Sequence, residues 1–191
     1  MKKLHLKSVV IMLILGAFPT FSLAQSKFNF FLDYHYQLGV SEKGEYGTPK
    51  KNNHMYGNSI HLSFMYNFTK QLSAGVGVGA DRYENPGYNT FPIFASAHYS
   101  PLKHLTDLYT YTNIGYAVID KQTTNTGLMW DLGIGYKKMF RPHFGLNFQI
   151  GYNLKQFRDI DTYIMTENTI QQVKSTNNIR NSISFGIGLV F

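Results

Sequence analysis

The chain has 191 residues, 18 basic against 11 acidic side chains, 7 histidines, a formal balance of +7 and no cysteine. Without cysteine there is no disulfide framework to hold an exported domain together. Part of the positive surplus sits at the very start: Lys2, Lys3 and Lys7 precede an uncharged run from Val9 to Phe18, and Ser22-Leu23-Ala24 offers small residues where a signal peptidase reads. Residues 1–24 are therefore expected to be a cleavable secretory signal, too short in its apolar core for the ~20 residues of a spanning helix. Removing them leaves 15 bases against 11 acids, a balance of +4, and a nucleic-acid reading loses its support.

Residues 25–191 form one expected domain, and what repeats through it is a period of two. Phe28, Phe30, Leu32, Tyr34, Tyr36 and Leu38 alternate with Asn29, Phe31, Asp33, His35 and Gln37. Ile60, Leu62, Phe64, Tyr66 and Phe68 alternate with His61, Ser63, Met65 and Asn67, and Leu72, Ala74, Val76, Val78 and Ala80 with serine, glycines and Asp81. Phe91, Ile93, Ala95, Ala97 and Tyr99 make a fourth run. A weaker fifth places Leu108, Thr110, Thr112, Ile114, Tyr116 and Val118 on the apolar face, although Tyr109 and Tyr111 argue for the opposite register. Leu128, Trp130, Leu132, Ile134 and Tyr136 follow, then Phe144, Leu146, Phe148, Ile150 and Tyr152, and finally Ile183, Phe185, Ile187, Leu189 and Phe191. Side chains two apart share one face of a strand. No stretch has sustained helical periodicity. The pattern predicts an all-β fold of eight antiparallel strands, each about ten residues long, the length a tilted strand needs to cross a bilayer.

Alternation alone does not place the apolar face, because a soluble eight-stranded barrel also alternates, with its oily side inside. Three features favour lipid. The polar face is glycine, serine, asparagine and glutamine with a few charges, where a soluble exterior would be rich in Lys and Glu. Only 15% of residues are charged, and charge is costly against lipid but tolerable in a lumen or loop. Aromatics recur near strand ends, at Phe28, Tyr66, Phe68, Tyr99, Tyr136, Tyr152 and Phe191, as interfacial girdles require. A negative mean hydropathy is compatible, since only alternate residues meet lipid and a closed ladder satisfies the backbone. The expected fold is an eight-stranded, antiparallel, up-and-down transmembrane β-barrel.

Connections near 41–58, 82–89, 119–126 and 156–178 are long, whereas 69–71 and 138–142 are short, as periplasmic turns are. Both termini are thus expected in the periplasm, although 100–107 is as long as two of the outward loops. Within 156–178, Asp161 to Met165 can face Ile170 to Val173 as a continuing hairpin.

The last strand, ending in Phe191, is similar to the terminal signal that outer-membrane proteins present to the barrel-assembly machinery, with Phe185, Ile187, Leu189 and Phe191 as its outward residues. Together with repeats such as Leu132-Gly133-Ile134-Gly135-Tyr136 and Ile150-Gly151-Tyr152, residues 26–191 resemble the small eight-stranded outer-membrane barrels of Gram-negative bacteria, the group of the OmpA transmembrane domain, the OmpX-like barrels and the porin-family proteins of Bacteroidetes. The resemblance implies location in the cell outer membrane, with membrane lipid and lipopolysaccharide as surroundings, and no single activity. It also implies a barrel without the peptidoglycan-binding domain of full-length OmpA.

Chemistry inside such a barrel has few candidates. His98-Tyr99-Ser100 resembles the His-x-Ser of lipid A deacylases, but it abuts Pro101 at an expected periplasmic turn. Asp33, His35, His61, Asp81, Asp131, Lys137, Lys155 and Arg180 are expected to point inward. Because side chains about fill an eight-stranded lumen, they should pair and hydrogen-bond rather than conduct. His35 and His61 can approach each other, but no third ligand completes a metal site. No cofactor or catalytic residue is expected. The outer loops carry Tyr46, Tyr56, Tyr83 and Tyr88 beside Lys50, Lys51, Arg82 and Arg158, residue types common at recognition surfaces and equally at membrane interfaces. The reading is a non-enzymatic barrel whose loops mediate surface interaction with a host or envelope ligand, or envelope structure. A small solute pore is the alternative, and a lipid A-modifying enzyme a further one.

Overall fold

The computed structural model describes residues 27–44, 54–85, 87–121, 124–166 and 169–191, with backbone alone over 159–176. The expected leader lies outside them, as do Tyr46, Lys50 and Lys51. Nine strands follow in chain order: β1 Phe28–Lys43, β2 Tyr56–Asn67, β3 Leu72–Glu84, β4 Tyr88–Thr90, β5 Pro92–Tyr99, β6 Leu108–Ala117, β7 Gly127–Arg141, β8 Phe144–Thr166 and β9 Thr169–Val190. They make eight staves. β4 and β5 are one stave interrupted at Phe91, where Pro92, which has no N–H to give, breaks the ladder to β3.

Each stave pairs antiparallel with its neighbours in sequence, and the sheet closes on itself where β1 meets β9. That seam runs from Phe31 opposite Val190 to Lys43 opposite Ile179. At its end the backbones of Phe30 and Phe191 exchange two hydrogen bonds of 3.0 and 2.9 Å, so the final residue is held in the barrel wall. Closure leaves no edge along the staves, which hydrocarbon demands because each unpaired backbone group there costs several kcal/mol.

Side-chain direction follows the expected period of two, with the apolar set outward. Val76 is 60% exposed, Ile60 56% and Ile114 53%, as core residues of a soluble domain never are, while Asp81, Asp131, Lys155 and Arg180 are buried. The doubtful β6 register resolves as the apolar pattern requires. Ile114 and Tyr116 face out and Tyr109 and Tyr111 fill the lumen. These rings fit because glycines stand opposite them: a Cβ at Gly133 would lie 2.8 Å from the Tyr111 ring, and one at Gly151 would lie 2.6 Å from its hydroxyl.

Two strands are longer than hydrophobic alternation indicates. β8 and β9 stay paired as far as Thr166 opposite Thr169, with Asp161 opposite Ser175 and Met165 opposite Ile170, so the 156–178 connection is largely a hairpin beyond the barrel. The expected 82–89 loop is likewise short. β3 runs to Glu84, and the chain reverses through Asn85, whose φ of 56° is left-handed, a conformation asparagine tolerates better than most residues.

Candidate functional site: a filled polar lumen and its rim

The inward side chains stack in layers. At the end holding the short turns, Phe31, Met65 and Val190 form a buried apolar plug with Met139 against it. His98 closes over them, edge-on to Phe31 at 5.2 Å and stacked on Tyr109 at 4.5 Å between ring centres. Below it, Lys137, Ser100, Gln71 and their neighbours line a cavity of about 20 Å³, room for little more than a water.

Above the plug a hydrogen-bonded chain begins at the carboxylate of Asp33. Asn147 Nδ2 donates to Asp33 at 2.7 Å, Tyr109 Oη donates to Asn147 Oδ1 at 2.5 Å, and Gln149 Nε2 donates to Tyr109 Oη at 3.0 Å. Gln149 Oε1 then meets His35 Nε2 at 2.7 Å. Alongside, Asn153 Nδ2 and Asn113 Nδ2 donate to Asp131 at 2.6 and 3.4 Å, and Ser96 Oγ donates to Asn113 at 2.7 Å.

Asp81 is the hub of the next layer. Its carboxylate accepts from His61 Nε2 at 2.8 Å, Thr90 Oγ1 at 2.8 Å and Lys155 Nζ at 3.3 Å. Arg180 caps the lumen, its guanidinium on Glu42 at 2.6 Å and on the carbonyls of Glu84 and Asn85 at 2.7 and 2.9 Å. The same group lies over the rings of Tyr83 and Phe157 at 5.9 and 5.7 Å. Tyr88 packs on Phe157 at 4.4 Å and broadens the lid. Buried charges tolerate a low-dielectric site only when paired and hydrogen-bonded, and the Asp81–Lys155 and Glu42–Arg180 pairs meet that condition.

The eight polar side chains expected to point inward line the lumen, with Lys137 at its short-turn mouth. The loop set disperses. Tyr83, expected in an outer loop, is fully buried in the lid because β3 keeps its alternation to Glu84. Tyr88 is half-buried on Phe157, and Arg82 is engaged by Glu84 at 2.7 Å and Asn89 at 3.0 Å. Tyr56 stacks on Tyr36 in the outer wall, and Arg158 Nη1 donates to Tyr116 at 3.1 Å. His98 meets Ser96 Oγ at 3.4 Å, whereas Ser100 Oγ donates to the Thr106 carbonyl. His98 and Ser100 therefore form no nucleophile–base pair, and both are turned away from the lipid-facing wall.

Glu42 is the partner that alternation misses. A register shift between Gly39 and Ser41 moves the inward face of β1 from odd to even residues. A bulge of this kind re-aims a side chain without any composition signal. The outer wall satisfies its own polar tips: Trp130 Nε1 donates to Thr112 at 3.0 Å, Tyr34 Oη to Asn58 at 2.5 Å, and Tyr152 Oη to Asn181.

A closed antiparallel barrel of eight staves, oily outside and filled with polar side chains inside, defines the chain as a β-barrel of the membrane-spanning type. No family model and no curated protein matches it. Among solved structures it is similar to the outer membrane protein OprG from Pseudomonas aeruginosa, at 13% identity over 86% of this chain and 96% of that one, with a TM-score of 0.49. It is also similar to Neisserial surface protein A, at 19% identity over 84% and 95% with a TM-score of 0.43, and to the KdgM porin, at 10% identity over 84% and 98% with a TM-score of 0.33.

Proposed function

We propose that the chain is an integral outer-membrane barrel without enzymatic activity, whose loops at the long-hairpin end face outward and mediate surface interaction or envelope structure. The observation that carries the reading is the inversion of polarity, with leucine, isoleucine and aromatic residues on the outer wall and the charges sequestered inside. Both termini then lie in the periplasm, as the short turns beside them suggest, and Phe185, Ile187, Leu189 and Phe191 present the assembly signal during biogenesis. Membrane lipid and lipopolysaccharide surround the wall. A host or envelope ligand meets the loops, through Tyr46, Lys50 and Lys51 with Tyr56, Arg82, Tyr88 and Arg158 at the rim.

The lid of Arg180, Glu42, Tyr83 and Phe157 and the plug of Phe31, Met65 and Val190 speak against the pore alternative. The orientation of His98 speaks against lipid A chemistry. Membrane fractionation with gel mobility of boiled and unboiled protein tests the location: recovery in the outer-membrane fraction with a heat-modifiable band is expected, and a detergent-free soluble species refutes it. Deleting residues 50–53 should reduce binding to cells or glycans. Unchanged binding across the panel would remove the loop assignment while leaving the barrel intact.

A further inference from the structure

His35 on β1 and His61 on β2 are buried at mid-lumen with ring centres 5.1 Å apart and planes 53° apart. Their Nε2 atoms are spoken for, and the chemistry of the partners fixes the protons. Asp81 only accepts, so His61 Nε2 carries hydrogen. For His35 the polarity is inherited from Asp33: its carboxylate orients the Asn147 amide, which orients the Tyr109 hydroxyl, which leaves Gln149 Oε1 as the acceptor facing His35 Nε2. Each neutral imidazole therefore holds its lone pair at Nδ1, and both Nδ1 atoms are buried with no hydrogen-bond partner. A buried acceptor is rarely left so.

The glycines behind the rings show which ring atoms lie against the wall. A Cβ at Gly79 on β3 would stand 2.6 Å from His61 Cδ2, and one at Gly186 on β9 would stand 2.6 Å from His35 Cδ2. Each ring rests its Cδ2–Nε2 bond on a glycine wall, and Nδ1 is the ring vertex opposite that bond. β3 and β9 flank the β2–β1 pair on opposite sides, so the two rings lean on different walls with their centres 5.1 Å apart, a separation that two nitrogen bonds of about 2.0–2.1 Å to one ion can span.

We propose that His35 and His61 form a two-imidazole site for one borderline-soft divalent cation of the Zn²⁺ kind, bound through both Nδ1 atoms. Imidazole nitrogen suits such ions. Ligating histidines characteristically give their other N–H to a carboxylate or carbonyl, the roles Asp81 and Gln149 fill here. Charge agrees as well: Asp33, Asp81 and Asp131 are buried in these layers with one ammonium, Lys155, which bonds Asp81, and a dication offsets the excess of carboxylates. No three His, Asp or Glu side chains cluster as a complete ligand set among the described residues, so water or a neighbouring carboxylate oxygen fills the remaining positions. The site depends on the barrel interior alone, whatever the loops bind.

The test uses the full untagged chain refolded into detergent micelles with Zn²⁺ present, so that the ion need not pass the closed lid, then desalted and assayed for zinc. One zinc per folded chain is expected. His35→Gln and His61→Gln keep an N–H donor near the Nε2 position and delete Nδ1, and each should lower zinc affinity at least about tenfold. Replacing the exposed His54, His104 and His143 should leave it unchanged. Should the glutamine variants fail to fold, nitrogen-15 spectra of the wild type decide, since zinc must shift the Nδ1 resonances of His35 and His61 while their Nε2 stay protonated. No retained zinc, retention undiminished in folded glutamine variants, or unshifted Nδ1 resonances would each overturn the proposal.

Discussion

Replacing Asp81 by Asn removes the one carboxylate that the Lys155 ammonium touches among the described residues, at 3.3 Å and with both side chains at or below 1% exposure. At an effective dielectric of about 20, charges at that separation attract by about 5 kcal/mol. Breaking a buried pair from one side costs about 3–5 kcal/mol because the survivor stays charged and unpaired. Asp81→Asn and Lys155→Met should each destabilise by that order. The double variant should lose much less than the sum, since no orphan charge remains. Urea unfolding in lipid vesicles, followed by the fluorescence of Trp130 on the outer wall, measures this. With an m-value of about 2 kcal/mol per molar urea, each single variant lowers the midpoint by about 2 M. Strict additivity, within about 0.5 kcal/mol, would show that the two groups do not interact and that the lumen network is wrongly drawn.

Two further expectations concern the wall and the lid. Ile150→Arg, in the oily belt of β8 opposite Ile134 and Phe185 and 52% exposed, should cost about 2–4 kcal/mol in bilayers, whereas Phe140→Arg beside the 142–143 turn should cost about 0–1 kcal/mol; equal costs in the same urea assay would deny the hydrocarbon gradient. In planar bilayers purified wild-type monomer should give no discrete conductance steps, and Arg180→Ala should lower stability by about 3–5 kcal/mol through the orphaned Glu42. Wild-type steps would refute the filled lumen.

Much of this architecture was legible because two rules coincide in the staves: the sheet alternates side chains, and lipid sorts them. Where both apply, as from Leu128 to Tyr136 or from Ile183 to Phe191, orientation follows from residue type alone, and even the ambiguous stretch around Tyr109 obeys the oily side. Legibility fails where one rule lapses. Beyond Tyr152 the hairpin leaves the oily belt, and β8 and β9 continue on backbone hydrogen bonds that leave no hydrophobic period. Tyr83 illustrates the same limit, expected in the 82–89 loop yet buried because the ladder persists.

Glu42 shows why the lid was harder to read than the lumen beneath it. One irregularity between Gly39 and Ser41 reverses which residues of β1 face inward. Without it Glu42 would face outward and Arg180 would be a buried cation with carbonyls and rings but no carboxylate, a state that costs several kcal/mol. The bulge and the buried arginine therefore require each other. An arginine at an inward position near a strand's upper end is itself the signal that an acid must be delivered opposite, and the nearest acid in the paired strand, Glu42 facing Arg180, is where the register must slip.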